Sequence, residues 1–244
     1  MIEGPENKFE KEPQHNIVIA DFIRHGETEY KNHGLDLTTR GVKQVAESAK
    51  KIAESIDKEK DIVIIWNSPA TRAQGSGRIL RQVLREHDIE IHSVSEIRLM
   101  RNCDVKDEEY SKYLFRTMKL VDIQRGYAKG EIVNNNQFEP QESVKKRAGR
   151  VYAGIASLAR SAELQGKRLR IIGASHFEFL NPIMEDIFGC KMDEGEEMRF
   201  SEDLRLVFDF EKMSKKMNIS ADFRHEHKEN IQFDEKSQHF QMAA

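Results

Sequence analysis

The chain has little that would staple, divide or anchor it. Cysteine occurs twice in 244 residues, as Cys103 and Cys190, which is too few for a disulfide framework and fits a reducing compartment. No stretch approaches the roughly 20 apolar residues needed to span a bilayer, and the polar start, residues 1–14, lacks the apolar core of a secretory signal. A cytoplasmic protein with no membrane partner is expected. No repeat and no linker interrupts the sequence, so one domain is expected over residues 1–244. Charge of one sign is not in excess either. The 39 Lys and Arg against 42 Asp and Glu give a formal charge of −3, which leaves no global positive field for nucleic acid and makes any anion binding local. Neither a His-Glu-x-x-His spacing nor an acidic magnesium cluster is present. His225 and His227 lack a third ligand, so no metal and no cofactor are expected.

What the chain does contain is an alternation of apolar runs and amphipathic periods. Residues 1–15 read as a loose arm. A nearly continuous apolar strand follows at 15–23, then a helix capped by Thr38 or Thr39 and running to about 56. Strand 61–66, helix 70–86 and strand 89–94 continue the pattern. A charged region at 96–109 follows, and Cys103 lies in it as a polar-loop thiol, read first as a free thiol without a role, with a reactive thiol as the alternative. The spacing predicts a helix over 110–120, a loop or lid over 122–140, a long helix over 143–164, a strand over 168–174 and a helix over 177–188. Residues 204–225 read as antiparallel strands, and about 227–244 as a flexible tail. Short basic stretches, Lys50 with Lys51 and Lys145, Lys146 and Arg147, are expected to face solvent. The order predicts an α/β fold: a three-layer α/β/α sandwich around a mostly parallel sheet with an antiparallel edge.

Three of the predicted parallel strands end in residues suited to phosphate chemistry. The first ends in Arg24, His25 and Gly26. The second ends in Asn67, Ser68 and Pro69, with Arg72 one helical turn on, and another ends in Ser175 and His176. Carboxyl ends of parallel strands share one edge of the sheet, where open α/β folds bind ligands. A neutral imidazole there can attack phosphorus. Two arginines can clamp the phosphoryl oxygens through a planar fork that lysine lacks, and Gly26 would let the backbone pass close to the phosphate.

These motifs, together with Leu37, Thr38, Thr39, Arg40 and Gly41 and the stretch Ala70, Thr71, Arg72 and Ala73, resemble those of the histidine phosphatase superfamily, also called the phosphoglycerate mutase-like family. The resemblance runs from about Ile17 to Phe210. It implies the phosphoglycerate mutase-like fold and a metal-independent phosphomonoesterase acting on a small phosphorylated metabolite. It further implies His25 as the phosphorylated nucleophile, Arg24 and Arg72 as phosphate ligands, His176 as the second histidine, and Glu96, after the third strand, as the best match to the proton donor, with Asp104, Glu108 and Glu178 as the alternative acids. Thr28 and Asn32 match the polar residues that line the phosphate. Arg98 and Arg101 are candidates for a second anionic group. Phe177 and Glu178 stand where most relatives begin with glycine, and are candidates for specificity. Phosphoglycerate mutase-type transfer and a non-catalytic phospho-ligand or protein-binding role are the alternatives, in a monomer or a homodimer.

Overall fold

In the computed structural model, which describes residues 14–29, 36–132, 137–191 and 198–242, the apolar run of β1 (His15–Arg24) lies inside an eight-stranded sheet. Cover on both faces is why its apolar residues do not alternate with polar ones. The chain continues through α1 (Thr39–Glu54), β2 (Asp61–Asn67), α2 (Thr71–Glu86) and β3 (Ile91–Glu96), then a 3-10 turn (Arg98–Met100). Next come α3 (Glu108–Thr117), α4 (Leu120–Ala128), α5 (Gln141–Ser161), β4 (Arg168–Ser175) and α6 (Phe177–Phe188). It closes with β5 (Asp203–Glu211), β6 (Lys216–Phe223), β7 (Glu226–Asp234) and β8 (His239–Met242). The strand order is β3-β2-β4-β1-β5-β6-β7-β8. The first four strands are parallel, and each later pairing is antiparallel.

Helices α1 and α2 cover one face against Ile23, Val63, Ile65, Ile172 and Ala174. Helices α5 and α6 cover the other against Phe22, Ile171, Leu206 and Phe208, which gives the three layers. Thr38 caps α1, its hydroxyl oxygen accepting from the Gly41 N–H at 2.9 Å. Glycine also decides how α1 meets the end of β1. A Cβ on Gly26 would stand 2.5 Å from the Gly41 carbonyl oxygen, and one on Gly41 would strike the Glu27 backbone. The two glycines therefore let the loop after β1 lie directly on the first turn of α1.

The expected mixed sheet is found, and its antiparallel part extends over β5 to β8. Four expectations are corrected. The tail expected to be flexible from about 227 forms β7 and β8. Its average polarity hides single apolar anchors, since Ile231 and Phe240 are buried while their neighbours face water. The loop expected over 122–140 holds most of α4, and Ile123, Tyr127, Ile132 and Phe138 form a small core with Leu114, Val144 and Phe177. Arg147 is buried rather than solvated. It binds both Glu139 oxygens at 2.9 and 2.7 Å and the carbonyls of Leu99, Arg101 and Asn102 at 2.8 to 3.1 Å. Its helical period pointed outward only because its partners lie on distant segments. Cys103 is buried as well, and burial pushes its thiol pKa well up, so it is a poor nucleophile.

A second buried charge cluster crosses the middle of the sheet. Asp21, fully buried on β1, accepts from Arg170 of β4 and from Arg205 of β5, each at 2.7 Å. Arg170 also donates to the Ser55 carbonyl at 2.8 Å and the Ser55 hydroxyl at 2.7 Å. Removing one member of such a group leaves an uncompensated buried charge, at a cost of about 3–5 kcal/mol.

Candidate active site

Register brings three of the predicted motifs to one edge. Arg24 stands beside Ser175 and Asn67 beside Ala174, so the residues that follow each strand, His25, Ser68 and His176, emerge together. All three are almost fully buried. The His25 N–H donates to the Ser175 carbonyl at 2.9 Å, which fixes its backbone, and its side chain is fixed too. Nδ1 lies 2.8 Å from the Gly26 carbonyl. Because a carbonyl only accepts, Nδ1 carries the proton and Nε2 keeps a lone pair. Arg72 Nε donates to that Nε2 at 3.0 Å. Burial, then the Arg72 and Arg24 charges, hold the His25 pKa well below the ordinary imidazole range, against the smaller opposing effect of the Gly26 bond. At neutral pH this imidazole is neutral.

The His176 ring centroid lies 5.1 Å from that of His25. Its Nε2 is 2.8 Å from Ser68 Oγ, while Nδ1 is buried with no partner among the described residues. Burial first, then Arg72, His25, Arg24 and Arg147, keep it neutral as well. The Arg24 guanidinium is sandwiched between Phe200 at 4.1 Å and Phe177 at 5.2 Å, and Nη1 donates to the Met198 carbonyl. Thr28 is buried, and its hydroxyl donates at 3.2 Å to the same Gly26 carbonyl that orients His25. Asn32 lies outside the described residues.

Above this floor is a cavity of about 230 Å³, lined by His25 and Arg72 at its base and by residues of the α3–α4 insert and its surroundings above. Phe177 and Glu178, at the start of α6, line it too. Burial raises the Glu178 pKa, with Arg72 and Arg24 opposing. Cys103 Sγ donates to Glu178 Oε1 at 3.7 Å. Glu96 is placed differently. It is exposed at the end of β3, where Gln74 Nε2 donates to it at 3.4 Å, and it does not line the cavity. Arg98 is exposed. Arg101 makes a fork to Asp104 at 2.8 and 2.7 Å, and neither arginine lines the cavity. A second groove runs along Thr28, Phe115, Arg116, Lys119, Leu120 and Phe200, sharing Phe115 and Leu120 with the first.

Sequence reasoning missed Phe200, Arg147 with Glu139, and the positioning bond of Ser76, whose Oγ accepts from the Gly26 N–H at 3.2 Å. Ser76 lies four residues after Arg72 on α2, one turn along the same face, and that spacing was the available signal. Phe200 lies in a short polar stretch with no period to announce it.

Comparison with known proteins shows the family. The profile of the histidine phosphatase superfamily (branch 1) matches residues 21–218. The chain belongs to the histidine phosphatase superfamily. No curated protein matches it in sequence. Among solved structures it resembles a mycobacterial glucosyl-3-phosphoglycerate phosphatase at 14% identity and TM-score 0.54, over 86% of this chain and 98% of that one. It also resembles YhfR of Bacillus stearothermophilus at 15% identity and TM-score 0.55, over 86% and 97%. A putative alpha-ribazole-5'-P phosphatase of Escherichia coli matches at 18% and 0.51, over 86% and 98%. At these identities the likeness is one of fold, and it agrees with a mixed sheet flanked by helices.

Proposed function

We propose that the protein hydrolyses phosphate monoesters of small molecules through a phosphohistidine on His25. The observation that carries this reading is the orientation of His25, with Nδ1–H tied to the Gly26 carbonyl and Nε2 turned to the Arg72 guanidinium at the base of the cavity. When a phosphoryl group binds, Arg72 transfers its Nε bond from His25 to a phosphoryl oxygen and frees the lone pair. Nε2 attacks phosphorus as the ester P–O bond breaks. Arg24, Arg72 and the unpartnered Nδ1 of His176, protonated when Nε2 accepts from the Ser68 hydroxyl, meet the negative charge on the equatorial oxygens.

The departing alkoxide needs a proton. We assign the donor to Glu178, which shares the cavity with His25 and Arg72, rather than to the exposed Glu96. In the second half of the cycle water attacks phosphorus, the P–N bond breaks, Glu178 takes the water proton, and inorganic phosphate leaves. Brief exposure to a labelled phosphomonoester and quenching in base should trap an acid-labile, base-stable adduct on His25. An active enzyme that never shows this adduct, even with His176→Ala, would rule the mechanism out.

A further inference from the structure

The cavity above His25 departs from what a sugar phosphate requires. Val105, Phe115, Leu120, Ile123, Ile132 and Phe138 line it with apolar side chains. Among the described lining residues Arg72 is the one cation, and it stands at the phosphate end. The basic residues that could hold a second anion, Arg116 and Lys119, lie in the other groove, on the far side of the shared Phe115 and Leu120. Several polar groups in the wall are tied to their neighbours. Asn102 Nδ2 donates to the Cys103 carbonyl at 3.1 Å, Cys103 donates to Glu178, and the Tyr127 hydroxyl donates to the Glu139 carbonyl at 2.9 Å. Gln124 is buried, and its Nε2 has no partner among the described residues.

A hydroxyl moved from water into such a wall without a partner loses about 1–3 kcal/mol, so a polyol carrying four or five of them is excluded by desolvation. An apolar cavity of about 150 Å³ admits benzene. By that scale this one takes about nine or ten non-hydrogen atoms, the size of a fused bicycle or a branched chain.

We propose that the cavity receives an apolar leaving group, so that the substrate is the phosphate monoester of an aryl or branched-alkyl alcohol carrying one hydrogen-bond acceptor for Gln124. The hydrolytic reading above is its premise. The polar phosphate then sits on the strand tips and the carbon body under α3 and α4, while Gln124 on α4 aligns the body along the cavity.

The test compares primary alkyl phosphates of matched leaving-group acidity, 2-cyclohexylethyl phosphate against glucose 6-phosphate, with the full-length protein. The kcat/KM of the apolar ester is expected to be at least about 30-fold higher, in the range that apolar pockets discriminate by. Ile123→Asn should erase most of that preference, and Ile123→Met should keep it. Gln124→Leu should lower turnover of a 2-(methoxyphenyl)ethyl phosphate several-fold while sparing the cyclohexyl ester. Calorimetric binding of the two corresponding non-hydrolysable phosphonates separates the two readings. Tight binding of the apolar phosphonate with no turnover of any ester would overturn hydrolysis and leave the apolar site standing. Equal or faster turnover of glucose 6-phosphate, or equal binding of both phosphonates, would overturn the apolar site and leave hydrolysis standing.

Discussion

The base of the cavity is made by strand tips and its roof by two short helices, and the two are held in different ways. At the base, His25, Ser68 and His176 follow directly on buried strands, and each has a backbone or side-chain bond that fixes its aim. The roof rests on a core of its own, centred on Leu114, Ile123, Tyr127 and Phe138. Large side chains of α3 such as Tyr113 face water. Its charged tie to the rest is Arg147 of α5, which grips Glu139 and the carbonyls after β3. On the proposed function, the division separates reaction from recognition. Groups that would have to be aimed within fractions of an ångström stand on the sheet, and groups that would choose the carbon skeleton stand on an element with a core of its own.

Four experiments would break or sharpen that contrast. His25→Ala should lower kcat/KM by about 10⁴-fold or more and remove the phosphoenzyme without moving the melting temperature downward. A comparable loss of fold would mean that the base is structural first. Arg147→Ala should destabilise the protein by about 3–5 kcal/mol in urea unfolding, because it strands Glu139 and three carbonyls. Arg147→Lys should recover only part of this, since a single ammonium cannot reproduce the fork. An unchanged midpoint would show that the roof is held by its apolar core alone.

Glu178→Gln should slow alkyl phosphates by about 10²-fold and aryl phosphates far less, because a good leaving group needs no proton. Glu96→Gln should change both by less than about threefold; the reverse result would move the donor to the end of β3. The pH profile carries the same information. On the proposed mechanism activity requires neutral His25, which burial and the Arg72 and Arg24 charges hold well below the ordinary imidazole range, and protonated Glu178, which burial pushes above the ordinary carboxyl range. The acid limb should therefore lie below the ordinary imidazole range, and the alkaline limb should vanish in Glu178→Gln.

The smallest effect is on stability. His25 and His176 are held neutral in the folded protein, so the unfolded chain binds more protons as pH drops below about 6.5. Stability should decline from there toward pH 5, and less so in His176→Asn, as thermal melts at several pH values would reveal.

Much of the base was legible in the sequence because it is local. A strand, its tip and the helix after it are contiguous, and Arg24, His25, Arg72 and His176 each sit in such a unit. The order of elements was legible for the same reason, although β7 escaped because a strand rich in charged residues has one buried anchor, Ile231, where a pattern needs several. The roof was opaque for a different reason. The α3–α4 insert forms a core from residues that are separately too sparse to show a period, and the aim of Glu178 depends on the turn from β4 into α6. Arg147 looked like one of three basic residues on a helix surface. Its partners come from residues 99–102 and 139, and nothing in its own helix announces them.

The Asp21 cluster has a consequence for the reaction. Asp21 holds one arginine from the parallel neighbour β4 and one from the antiparallel neighbour β5. A slip of β1 by a single residue would turn that carboxylate to the opposite face, away from both. The same slip would move His25 about 3.3 Å along the sheet and break its bonds to the Ser175 carbonyl and to Arg72. The buried charges thus act as an index mark on the strand, four residues before His25, against which the position of that imidazole is set.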